Sequence, residues 1–151
     1  QKLGDTSVAN PTIHAVFSFA AQMVIADPET GEIEKVVAVH EVGKAVNPTL
    51  VEGQVEGSVN MGLVYALTEE FPTDPDTGFP TNMTLRSLGI LRAKDVPDID
   101  VHIVEVPQPR SPYGIKGVGE IGLVPTAPAV AAALHDADGA WRSTLPMKPA
   151  K

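Results

Sequence analysis

The segment AVNPTLVEGQVEGSVNMGLVYALTEEF, residues 45–71, constrains the fold most. Val51, Val55, Val59, Leu63 and Ala66 recur at helical spacing, which predicts a helix from Pro48 to Thr68. Asn47 is a suitable N-cap, and Pro48 suits the first helical position, where its missing N–H costs nothing. Yet Gly53, Gly57 and Gly62 lie inside this helix. A glycine in a helix interior costs about 1 kcal/mol against alanine, so about 3 kcal/mol of propensity is given up. Close approach of a neighbouring strand, helix or ligand to the bare backbone would offset it.

The flanking sequence supplies strands. In HAVFSFAAQMVIA, Phe17, Phe19, Ala21, Met23 and Ile25 alternate, which predicts a strand from His14 to Ala26. DPETG follows as a turn, since Asp27 starts it, Pro28 presets φ and Gly31 tolerates positive φ. EIEKVVAVHEVG then forms a second strand and closes a hairpin. The same turn pattern recurs at Asp74–Gly78 as a second hairpin-like turn. Thr84–Leu91 reads as a short strand, KDVPDID as a loop and Val101–Pro107 as a further strand. A Gly- and Pro-rich loop leads to a capped helix that starts near Thr126 and ends near Gly139. The expected class is α+β, mixed β-hairpins packed with two main helices in a single domain spanning residues 1–151.

Several functions are disfavoured. The formal net charge of −8 leaves no basic stripe for phosphates, so no nucleic-acid partner is expected. No apolar run is long enough to span a membrane. The absence of cysteine excludes a thiolate metal site or a cysteine nucleophile, and suits a reducing, cytoplasmic setting. The start QKLGDTSVANP has no apolar leader core and does not begin with Met, which suggests a piece of a longer protein. His14, His40, His102 and His135 show no metal-ligand spacing, although His14 and His40 sit on adjacent expected strands. The two Asp-x-acid-x-Gly turns echo a calcium loop but lack its later ligands, so they are read as turns. Glu52 and Glu56 share a helix face at i,i+4, where carboxylates mildly repel and are usually exposed. Gln54, on the same glycine-rich helix, offers two donors and an acceptor to a polar ligand or to water.

KGVGEIGLVPTAPAVAAAL, residues 116–134, sets one carboxylate, Glu120, among Gly117, Gly119 and Gly122. The glycines free the backbone and let it approach another body closely. Ile121, Leu123 and Val124 add an apolar flank. A carboxylate there would be partly desolvated, which favours its protonated form and suits a general base. The competing reading is a loop glutamate that caps the helix near Thr126 or faces solvent.

Two motifs in this order, EVGKAVNP with GQVEGSVNMGLVYALTEE (within residues 41–70) and KGVGEIGLVPTAPAVAAAL, resemble a known family, as does the closing TLPMKP. The chain resembles the C-terminal part of the molybdenum-binding subunit of the xanthine dehydrogenase and aldehyde oxidase family. The resemblance implies that Glu120 is the catalytic base, taking a proton from a molybdenum-bound hydroxyl. It implies that Gln54, Gly57, Gly117 and Gly119 lie against the cofactor, with no metal ligand from this chain. The implied cofactor is molybdenum–molybdopterin, in its cytosine dinucleotide form. FAD and 2Fe-2S centres in partner subunits or domains would carry the electrons. The remainder of the subunit would complete the site, in an oligomer that hydroxylates a purine (xanthine- or hypoxanthine-like) or an aldehyde. The isolated 151 residues are expected to hold no molybdenum and to show no hydroxylase activity. The alternative is a non-catalytic interaction or assembly module derived from the same domain.

Overall fold

The computed structural model describes residues 7, 9, 16–81 and 84–147. Three strands, β1 (Ala20–Ala26), β2 (Ile33–Glu41) and β3 (Asp98–Val104), form one sheet in the order β1-β2-β3. β1 and β2 are the expected antiparallel hairpin, and β2 pairs β3 in parallel. Parallel strands need a long crossover, and helix α1 (Pro48–Leu67) lies within it. Helix α2 (Thr126–Asp138) packs on both β1 and α1. The class is α+β, as expected.

The core lies between the sheet and the two helices. Val36 and Ala38 come from β2, Val55, Val59 and Leu63 from α1, and Val130 and Leu134 from α2. Burying each large side chain contributes about 1.5–3 kcal/mol. Asn47 caps α1 through Oδ1, which accepts from the Leu50 N–H at 3.2 Å. Gly62 explains one of the three helix glycines, because a Cβ there would meet the Thr126 Cβ at 2.5 Å. Gly53 and Gly57 meet nothing within 4 Å, so the close neighbour expected for them is not among the described residues. α2 ends at Gly139 in a left-handed conformation, with its N–H bonded to the His135 carbonyl. No side-chain cap opens this helix, so Glu120 does not cap it.

Three expectations on element bounds and type are corrected. β1 begins at Ala20 rather than His14, which lies outside the described residues. The alternating set Phe17, Phe19, Ala21, Met23 and Ile25 does share a face, but that face is exposed, with Phe19 at 77%. β3 runs Asp98–Val104 rather than Val101–Pro107, because it pairs residue for residue with Lys35 to Glu41 of β2, where Lys35 also bonds Asp98 and Asp100 at 3.3 and 3.2 Å. Thr84–Leu91 is not a strand: Leu85–Ser87 forms a 3-10 turn, closed by the Ser87 N–H on the Thr84 carbonyl and by a bond between their hydroxyls.

Both Asp-Pro turns are self-contained. Asp27 Oδ1 accepts from the Thr30 and Glu29 amides, and Asp74 Oδ1 from those of Thr77 and Asp76. The second turn carries a single bridge, Thr73 to Pro80, and no strands. Among the described residues, no helix is long and apolar enough to cross a membrane.

Candidate functional site

The loop that carries Glu120 is held at three points. At its start, an antiparallel bridge joins Gly43 to Ile115, and the Lys44 N–H bonds the Gly114 carbonyl at 2.9 Å. Gly43 has φ +72°, and a Cβ there would lie 2.7 Å from the Gly114 oxygen, so only glycine fits. Lys116 reaches back from the loop to Glu41 at the end of β2, with Nζ 2.5 Å from Oε2. Burial pushes the Glu41 carboxyl up, but the Lys116 hydrogen bond and charge and the Gly43 amide outweigh it and hold it below the usual range.

In the middle, helix α1 meets the loop. Gln54 Nε2 lies 3.4 Å from both the Val118 and Gly119 carbonyl oxygens. Ser58, one turn on, donates to the Gln54 carbonyl and lies 3.3 Å from the Gly119 oxygen. At the far end, Gln22 of β1 donates to the Gly122 carbonyl at 2.7 Å. A Cβ on Gly122 would sit 2.8 Å from the Ser58 Cβ, so glycine is needed for helix and loop to touch. The Leu123 and Thr126 amides then bond the Glu120 and Leu123 carbonyls, a run of turns that leads into α2.

Glu120 is exposed, which corrects the expectation of a carboxylate partly desolvated within this chain. The loop lies on the outside of the sheet-and-helix core, so only a body beyond these residues could dry it. Gly117 and Gly119 do not adopt left-handed φ, and nothing lies within 4 Å of where their Cβ atoms would be. Their contribution is uncovered backbone. Gly57 also presents bare surface on α1, but it borders a separate hollow with Asn60, Leu91 and Pro97, whereas Gln54 is exposed beside the loop. An exposed amide beside uncovered loop backbone fits a flat, polar, hydrogen-bonding group such as a pterin. The loop also borders two apolar hollows. One, of about 550 Å³, is lined by Phe17, His40, Gly117, Ile121 and Pro125. The other, of about 440 Å³, is lined by Leu50, Gln54, Tyr113, Lys116 and Val118.

The remaining candidates do not converge on this loop as a group. Glu52 and Glu56 are exposed along α1. His40 is buried against Gln22, His102 lies 3.4 Å from Asp100, and His135 packs edge-on to Trp141. Burial holds the His40 imidazole below its usual range, which favours the neutral ring. Among the described residues, no cluster of three His, Asp or Glu could hold a metal ion. Residue-by-residue reading missed Glu41 and Lys116. A charged residue ending the apolar run VVAVHE was the available signal.

A sequence profile described as a molybdopterin cofactor-binding domain matches residues 4–97. The xanthine dehydrogenase molybdenum-binding subunit of Escherichia coli O157:H7 is 37% identical over 117 residues, covering 78% of this chain and 16% of that protein. The 6-hydroxypseudooxynicotine dehydrogenase complex subunit gamma of Paenarthrobacter nicotinovorans is 31% identical over 150 residues, covering 96% of this chain and 19% of that protein. The crystal structure of the aldehyde oxidoreductase from Desulfovibrio desulfuricans superposes with a TM-score of 0.77 at 30% identity, over 89% of this chain and 15% of that one. The chain thus spans less than a fifth of the length of each of these relatives.

Proposed function

This chain belongs to the molybdopterin cofactor-binding domain family, and from that premise we propose that it forms one wall of a molybdenum hydroxylase site. The contact of Gln54 with the Gly119 carbonyl carries the reading, since it joins the glutamine helix to the glycine loop in one face. Gln54 would hold the pterin through its amide, and Gly57, Gly117 and Gly119 would let backbone lie against it. The molybdenum cofactor supplies the two-electron redox chemistry of an oxidative hydroxylation when bound. Glu120 would take up a proton at its carboxylate oxygen as the hydroxylation proceeds. Its exposure in this chain leaves that oxygen accessible, and the remainder of the subunit would cover it.

The exposed apolar face of Phe17, Phe19, Met23 and Ile25 supports such a covering partner, because large bare apolar patches are rare on free proteins. In the full assembly we propose the cytosine dinucleotide form of the cofactor, with FAD and 2Fe-2S groups in partner subunits or domains. The substrate class is a purine or an aldehyde. The three relatives above are named for a purine, a nicotine derivative and an aldehyde at similar identity, so this segment serves sites of different specificity.

The test is Glu120→Gln in the full-length protein, with molybdenum content and turnover measured on a panel of purines and aldehydes. Turnover is expected to fall about 10²–10⁴-fold with molybdenum retained, the usual effect of losing a general base. Undiminished turnover overturns the assignment.

A further inference from the structure

The anchor at Lys116 has no part in the chemistry above, yet it is the most tightly made of the loop's attachments. Its side chain is 8% exposed, and that of its partner Glu41 is 7% exposed. Lys116 Nζ also donates to the Phe17 carbonyl at 2.7 Å, while Glu41 Oε1 accepts from the Gly43 N–H at 2.7 Å. The Val106 N–H adds to the hold on the same carboxylate. Lys44 and Glu105 nearby are satisfied by each other at 3.0 Å, so they do not compete for this pair.

A buried ion pair is a poor device for stability alone, since desolvation cancels much of its attraction and apolar side chains of similar volume often do as well. What it supplies is registry: the pairing has one geometry. The geometry of the loop gives that registry a use. Between Lys116 and Gly122 the polar contacts of Gln54 and Ser58 with the loop carbonyls are long, at 3.3–3.4 Å. The firmer holds are Val118, packed against the core, and the Leu123 N–H on the Glu120 carbonyl at 3.1 Å. The buried charged anchor on the N-terminal side of Glu120 is Lys116.

We infer that Glu41 and Lys116 are positioning residues for Glu120, fixing where its carboxylate stands relative to the cofactor face. This rests on Glu120 being the base. Neither residue touches the reacting atoms. The pair ties β2, the central strand of the sheet, to the residue before the Gly-Val-Gly stretch, so the sheet helps to set the placement of the loop.

The experiment compares Lys116→Met, Lys116→Arg, Glu41→Gln, the Glu41→Gln/Lys116→Met double variant and Glu120→Gln, all in the full-length protein. The readouts are kcat and KM, molybdenum content, and hydrogen exchange of amides 117–121 against those of α1. Lys116→Met is expected to lower kcat about 10- to 100-fold, the scale of a small misplacement of a reacting group. KM and molybdenum content stay near wild type. Exchange in 117–121 rises about tenfold or more through local opening, while α1 amides keep their protection. The double variant costs no more than the worse single variant, because the two residues act as a unit. Lys116→Arg, which keeps the charge and the donor, recovers most of the rate. Unchanged kcat, or unchanged exchange in the loop, overturns the inference. So does a loss of molybdenum and α1 protection together, since the pair would then serve the fold at large. If Lys116→Met fails to accumulate, Glu41→Gln is judged by the same criteria, with Lys116→Arg kept as the conservative control. Wild-type turnover in Glu120→Gln overturns the base assignment and this inference with it. Loss of turnover there, with full turnover in Lys116→Met, overturns this inference alone.

Discussion

Gly62 of α1 and Thr126 of α2 touch so closely that a methyl group on the glycine would stand 2.5 Å from the threonine Cβ. Thr126 cannot yield easily. It is fully buried, it is β-branched and stiff, and its hydroxyl donates to the Gly122 carbonyl at 3.0 Å. The two helices are seated on each other through this contact, and α2 follows directly from the loop that carries Glu120.

Gly62→Ala should therefore destabilise. Overpacking costs about 1–3 kcal/mol, which exceeds the gain of about 1 kcal/mol in helix propensity. Gly53→Ala and Gly57→Ala, which meet open space, should each stabilise by up to about 1 kcal/mol. Urea unfolding of the three variants checks the opposite signs. In the full-length protein, Gly57→Ala should lower molybdenum content although it stabilises the helix.

The Glu41–Lys116 pair predicts an acid-sensitive component of stability. The folded Glu41 carboxyl lies below its ordinary value of 4.5, so the folded state binds fewer protons than the unfolded state as pH falls. The contribution is complete above about pH 4.5 and is lost as pH drops through the folded value. Asp27 and Asp74, held low chiefly by backbone amides of Thr30 and Thr77, act in the same direction and range. The difference between wild type and the Glu41→Gln/Lys116→Met double variant isolates the pair. Unfolding free energy followed from pH 7 to pH 3 should fall more steeply in wild type.

Leu134 of α2 is buried in the core, with Cδ2 only 3.6 Å from where a Cβ on Gly31 would be, in the turn between β1 and β2. Leu134→Ala should cost about 2–5 kcal/mol, from lost burial and the cavity left behind. Val124→Ala, at an exposed position in the loop, should change stability by less than about 0.5 kcal/mol. Denaturant midpoints of the two variants decide it.

What could be read in advance was what local chemistry determines. Asn47, Pro48 and the helical spacing of valines placed α1 to within a residue of its observed end. The Asp27 carboxylate made the first turn legible, because its acceptor geometry is satisfied by amides two and three residues on. Tertiary choices were not legible. Alternation identified β1 as a strand but could not say that its apolar face points away from the core. The start of β3 was hidden because Asp98 and Asp100 read as loop residues until Lys35, far off in the chain, pairs with them. At the site, residue patterns alone gave Gln54 and the glycine loop separately; the resemblance implied that both face one cofactor, and their direct contact is seen only in the fold. Glu41 and Lys116 stand 75 positions apart, beyond the reach of any local pattern.

The parallel pairing of β2 with β3 has a kinetic corollary. Everything from Val42 to Pro97 must be gathered in before Glu41 can lie beside Val104. Closing so long a span forfeits chain entropy before its contacts form, which makes such topologies slow to assemble. The amide of Gln54 sits inside that span, and the loop it meets lies after the closing strand. Under the proposed function, the face shared by Gln54 and the loop would not exist until the loop after β3 has emerged, so cofactor loading would follow the pairing of β2 with β3 rather than precede it.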